Sequence, residues 1–206
     1  MQLAAGQNMT LPDIPGVRVA LRWSARAPVD ADLSALLLRD GTVLSDDHFV
    51  FYNSIASPDG SVTHVGKHTD GGVVTDAVDV ALSAVPPQVE VVVLAVSAHP
   101  AHPGALALLG EPEVHVVDPG GRLLASHRLS RLTTESAVDV VELYRRGGTW
   151  KLRAVGQGWA DGLAGLARDF GVDVGDEHDT PPPDLVPAGP PAVDWSDPPV
   201  PAGYEL

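Results

Sequence analysis

The sequence predicts an all-β fold, a β-sandwich of two antiparallel-rich sheets with a short C-terminal helix. Three observations carry the prediction. Short apolar or alternating runs recur through residues 1–175. Turn signals such as Asp40-Gly41 and Ser57-Pro58-Asp59-Gly60-Ser61 separate them. One segment, Ala160 to Phe170, carries a helical period.

Val17 to Trp23 alternates, with Val17, Val19, Leu21 and Trp23 on one face. Leu33 to Leu38 is an apolar strand that runs into Arg39-Asp40-Gly41-Thr42, a hairpin signal. Phe49 to Asn53 reads as a short aromatic strand, and the Pro58-Asp59-Gly60 β-turn follows. Val89 to Ser97, apolar from Val91 to Val96, reads as a buried strand. Glu113 to Val117 and Arg122 to Leu129 flank Asp118-Pro119-Gly120-Gly121, a second hairpin. Val138 to Arg145 pairs with Trp150 to Val155 across Arg146-Gly147-Gly148-Thr149. Trp23 and Trp150 both fall on alternating strands, so both are expected to be substantially buried. In the helix, Leu163, Leu166, Ala167 and Phe170 form one apolar stripe, and Gly171 stops it. The helix is expected to cap one end or face of the sandwich.

Composition changes near Gly175. Residues 176–206 hold nine of the 19 prolines, lack periodicity and are expected to form a Pro-rich, acidic, disordered tail. Trp195 and Tyr204 are either partner anchors on that tail or parts of an exposed spacer. The formal net charge of −14 argues against nucleic acid as a partner, because phosphates would be repelled. The absence of cysteine removes disulfides, thiol nucleophiles and Cys-based zinc sites. Met1 to Thr10 does not read as a signal peptide, and no apolar run reaches the roughly 18 residues of a membrane span. A cytoplasmic protein is expected, meeting membranes only through partners.

Three blocks carry a family resemblance. The first is Val29-Asp30-Ala31-Asp32-Leu33-Ser34-Ala35 with the apolar residues after it. The second is Leu44 to His64, containing Phe49-Val50-Phe51-Tyr52-Asn53 and Ser57-Pro58-Asp59-Gly60-Ser61-Val62. The third is Glu142 to Val174, a closing hairpin and helix. In this order they resemble the TerD family of bacterial tellurium-resistance and chemical-stress systems. The resemblance implies a β-sandwich, no enzymatic activity, calcium binding, and association with other stress-system proteins.

The residues themselves offer a candidate calcium site. Nine aspartates lie between Asp30 and Asp79 against two cations, Arg39 and Lys67. Calcium takes six to eight hard oxygens from carboxylates and carbonyls. Asp30, Asp32, Asp46, Asn53, Asp59, Asp70 and Asp76 are the candidate ligands, with Asp30 and Asp32 on one face of a strand as the anchors. A contiguous EF-hand is excluded, since counting from Asp30 puts Ala35 and Gly41 where Gly and Glu are required. The segment also departs from the family pattern. Lys67 stands where the family has an aspartate, His68 replaces an asparagine, His48 replaces an acid, and the consecutive acids shrink to Asp76. An ammonium there opposes calcium and can satisfy a carboxylate in its place. Two readings therefore stay open: a calcium-dependent module, and a metal-free interaction scaffold. An enzyme built on residues 64–79, read as a loop, is a distant third.

Other chemistries fare worse. Gly156, Gly158 and Gly162 precede the helix, but no second strand follows to complete a dinucleotide site. His64 and His68, and His99 and His102, are spaced by four and three residues outside any helical pattern, so they read as loop histidines rather than zinc ligands. No Gly-x-Ser-x-Gly elbow is present.

Overall fold

The computed structural model describes residues 1–173. The expected tail, 176–206, lies outside the described residues. Thirteen strands and one helix form. They are β1 (Gln2–Leu3), β2 (Asn8–Thr10), β3 (Val17–Ser24), β4 (Ala31–Arg39), β5 (Thr42–Val43) and β6 (Phe49–Val50). Then come β7 (Val62–Asp70), β8 (Val73–Val80), β9 (Val91–Ala98), β10 (Glu113–Val117) and β11 (Leu123–Arg128). β12 (Ala137–Arg146), β13 (Thr149–Trp159) and α1 (Gly162–Asp169) close the order.

The strands make two sheets. One runs β1-β11-β10-β3-β8-β7; the other runs β2-β13-β12-β9-β4-β5, with β6 also on β4. All pairings are antiparallel except β1 with β11. The sheets bury their facing sides against each other. Val19, Leu21, Val78, Val114 and Val116 from one meet Leu33, Leu37, Val92, Leu94, Leu143 and Leu152 from the other. The predicted sandwich is thus the observed one. Val17, Val19, Leu21 and Trp23 all enter this core, as their alternation requires.

β4 is buried on both faces, which explains why Ala35–Leu38 are apolar at successive positions. Its residues Leu36 and Leu38 look away from the sandwich core, toward Val93, Ala95, Trp159, Leu166 and Ala167. So α1 covers the outer face of the second sheet. The helix ends in a Schellman cap: the Gly171 amide bonds the Arg168 carbonyl at 3.0 Å and the Val172 amide bonds Ala167 at 2.9 Å. Val172 then joins the same apolar cluster.

Three expectations need correction, and the N-terminus adds two strands. The aromatic strand stops at Val50, because Phe51 and Ser54 pair with each other in a tight turn. Residues 64–79 are not a loop but the β7–β8 hairpin, closed by Gly71 and Gly72 at φ +56 and +79. Those are the left-handed values of a type I′ turn, and Val73-Val74-Thr75 beyond it are strand formers. The polar N-terminus contributes β1 and β2, which earn their place by pairing with β11 and β13 rather than by their own pattern. Trp150 is only half-buried: its Nε1 donates to the Leu82 carbonyl at 3.2 Å and the Arg145 guanidinium lies 4.6 Å from its ring centroid.

β12 carries a bulge between Asp139 and Val141. Asp139 is 3% exposed and its Oδ1 has no hydrogen-bond partner. Burial pushes its carboxyl well above the ordinary range, and the Glu142 carboxylate pushes the same way against Arg153. The folded protein therefore holds a proton there that the unfolded chain releases. Stability drops as pH rises from the ordinary Asp value toward the raised one. Asp139→Asn keeps the shape and a donor while removing that ionisation. It is expected to raise stability at pH 7 by about 1 kcal/mol, a Tm gain of about 2–4 °C. At pH 3, where both states are protonated, calorimetry should show no gain.

Candidate functional site

The site lies where the start of β4 crosses the β7–β8 hairpin. Asp30 precedes β4 and Asp32 is its second residue. Lys67 on β7 donates to Asp30 Oδ2 at 2.7 Å and to Asp32 Oδ1 at 3.0 Å. Its ammonium also sits 5.5 Å from the Trp23 ring centroid. Asp76, opposite Lys67 in the hairpin register, is fully buried. Its Oδ2 accepts the Leu33 amide at 2.8 Å, which ties β8 to β4 across the sandwich. The remaining oxygen, Oδ1, lies 3.0 Å from His64 Nε2, but the alignment is too poor for a hydrogen bond.

A bulge on β7 makes this arrangement possible. The register shifts between His64 and Gly66, with Gly66 at φ +97. In a regular strand residues three apart face opposite sides. The extra residue turns both His64 and Lys67 toward the carboxylates. Asp32 Oδ2 is buried without a hydrogen-bond partner, 4.0 Å from His99 Nε2. Burial raises the Asp32 carboxyl above its ordinary range even though Lys67 and His99 oppose the shift. Burial also acts to lower the Lys67 ammonium, but its bonds to Asp30 and Asp32 outweigh that and raise it. A tight ion pair would lower the acid as it raises the base, so Lys67 is shared and offsets only part of the desolvation of Asp32.

Residues 1–170 match the TerD domain. The chain belongs to the TerD family. It is 35% identical over 188 residues to tellurium resistance protein TerD of Serratia marcescens, covering 84% of this chain and 98% of that protein. It is 31% identical over 191 residues to general stress protein 16U of Bacillus subtilis strain 168, covering 85% and 99%. A crystal structure of a homologue of the telluride resistance protein TerD from Streptomyces coelicolor A3(2) superposes with a TM-score of 0.61 at 22% identity, covering 75% and 95%. The family is one of tellurium resistance and stress response, as the names of these relatives state.

In this TerD-family chain the gathered carboxylates are Asp30, Asp32 and Asp76. They suit calcium poorly as they stand. Asp30 gives Oδ1 to the Ala31 amide and Oδ2 to Lys67; Asp32 gives Oδ1 to Lys67; Asp76 gives Oδ2 to Leu33. Two oxygens remain without hydrogen bonds, Asp32 Oδ2 and Asp76 Oδ1. Calcium needs six or more, and a tethered ammonium already lies among them.

The other four candidates lie elsewhere. Asp46 is exposed in a 3₁₀ turn and its Oδ1 accepts the Asp173 amide at 3.1 Å. Asn53 is exposed in the Phe51–Ser54 turn. Asp59 caps its own turn. Its Oδ1 accepts the Ser61 amide at 2.8 Å, and although burial acts to raise its carboxyl, bonds from Ser61 and Ser57 lower it. Asp70 is exposed at the hairpin tip, opposite Val73. None exchanges a described hydrogen bond or ion pair with the Asp30–Asp32–Lys67 group. Sequence reasoning did not find His64 and His99 as neighbours of the carboxylates. The only available signal was Val65-Gly66, a glycine inside a strand pattern, which marks a bulge.

Proposed function

We propose that this chain is a non-enzymatic, cytoplasmic stress-response module that acts by associating with other proteins of its stress system, without needing calcium. One observation supports the calcium-independent form of the reading. The Lys67 ammonium bridges Asp30 and Asp32, supplying positive charge at the carboxylates on which the family resemblance centres. The site's chemistry favours association over catalysis. Asp76 is sealed in the core, and its free oxygen faces a histidine that is itself only 8% exposed. No helix among the described residues is long and apolar enough to cross a membrane.

Calcium titration with thermal unfolding tests the reading on the full chain. Wild type is expected to show no calcium-dependent Tm shift at millimolar calcium. Lys67→Asp removes the opposing cation and adds two oxygens, so it should gain such a shift. A ligand at a hundredfold excess over Kd stabilises by about 2.7 kcal/mol. A clear shift in the wild type would overturn the calcium-independent form. Partner capture from stressed cells should likewise be unaffected by a calcium chelator.

A further inference from the structure

The β4–β9 register carries two more groups to this end of the sandwich. Ala31 pairs with Ala98, and the ladder continues with the His99 amide bonded to the Asp30 carbonyl at 2.9 Å. His99-Pro100-Ala101-His102 then forms a β-turn, closed by the His102 amide on the His99 carbonyl at 2.9 Å. Proline presets that turn and brings His102 back beside His99, their ring centroids 6.1 Å apart. The Tyr52 ring, 5.7 Å away, packs on the other side of His99.

One ligand atom each from Asp30, His99 and His102 lies within 4.8 Å of the other two. Asp32 Oδ2 adds a buried oxygen without a hydrogen bond, 4.0 Å from His99 Nε2. Two imidazoles and two carboxylate oxygens are a donor set for a four-coordinate ion of the zinc class, not for calcium. Metal–ligand bonds near 2.1 Å separate tetrahedral ligands by roughly 3.4 Å, so modest side-chain rotation closes the site. The charge is also suitable. Three carboxylates, Asp30, Asp32 and Asp76, gather near one ammonium, leaving a formal charge of −2 from these four groups. Asp30, Lys67 and His102 all line a surface cleft of about 290 Å³, which gives an ion a way in.

We propose that Asp30, His99 and His102, with Asp32 as the buried fourth ligand, bind a divalent transition ion of the zinc class. Lys67 stays hydrogen-bonded to the carboxylates behind the ion and orients them. Binding through His99 Nε2 moves the ring proton to Nδ1. The 3.1 Å bond that Nδ1 accepts from the Ala101 amide is then given up. This site rests on its own side chains, and it stands or falls separately from the association reading.

Cobalt(II) titration of the untagged full chain tests it. The expected result is an intense visible absorption typical of tetrahedral cobalt, saturating at one equivalent and lost on adding zinc(II). Zinc(II) should also raise Tm while magnesium and calcium do not. His102→Ala alters an exposed residue, so it should fold normally and weaken binding by at least about tenfold. His102→Cys keeps a ligand and should restore the band with a thiolate charge-transfer feature. His68→Ala, on the exposed part of β7, should leave affinity unchanged. No tetrahedral band, or binding that survives His99→Gln and His102→Ala together, would overturn the proposal.

Discussion

Trp23→Ala is expected to lower stability by about 3–5 kcal/mol, the usual range for deleting a buried indole. Trp23 is 4% exposed and belongs to the main core at the end of β3. Its ring does two things. It fills part of the core at the end of β3, and it lies beneath the ammonium of Lys67. Removing it leaves a cavity that the two sheets cannot close without shifting β8, its paired neighbour. Urea unfolding should show a lower midpoint with an unchanged slope. A loss under about 1 kcal/mol would mean that the ring is not packed as described. Lys67→Met removes the charge above the ring, a contact worth about 0.5–1 kcal/mol, and with it both ion pairs to Asp30 and Asp32, so its cost reports on the carboxylates as well as on the indole.

Asp76→Ala is expected to be the next most damaging change, at about 2–4 kcal/mol. It strips the acceptor from the buried Leu33 amide and leaves that donor without a partner. Asp76→Asn separates two causes. An amide oxygen still accepts from Leu33, so recovery of most of the stability would assign the loss to the hydrogen bond. If Asn is as damaging as Ala, the charge itself is needed, facing His64 and the Lys67 region. Paired denaturation curves of the two variants, run at the same pH, make the distinction.

How much of this was legible in the sequence varies by element. The core strands were. β3 alternates, β4 and β9 are dominated by consecutive apolar residues, and each finds a buried place that its pattern demands. The helix was legible because its stripe and Gly171 agree. The hairpin of residues 62–80 was not, because Gly-Gly with acids on both sides reads as a flexible acidic loop until the Val73-Val74-Thr75 run is given weight. Trp150 is less buried than expected for a different reason: alternation gives the face, but the residue is second on β13, beside the turn, where the Leu82 carbonyl and the Arg145 guanidinium meet its ring. Of the seven oxygen ligands proposed, Asp30, Asp32 and Asp76 converge because β4 crosses the hairpin, which is a tertiary fact that spacing does not encode. The histidines converge through a register extended by one residue and a proline turn, which no single-sequence pattern shows.

The bulge on β7 has a consequence beyond the site. β7 is the outermost strand of its sheet, nine residues long; Ile55–Ser57 pair with its first residues, Val62–His64, and no described strand pairs with the outer side of the rest. Strands of that length and position readily recruit another chain and seed aggregates. Here the Gly66 kink breaks the flatness of the edge, and Lys67 is turned inward, where a new strand docking alongside would have to pull it off its two carboxylates. The same lysine that occupies the acidic cluster thus disfavours strand addition at this margin.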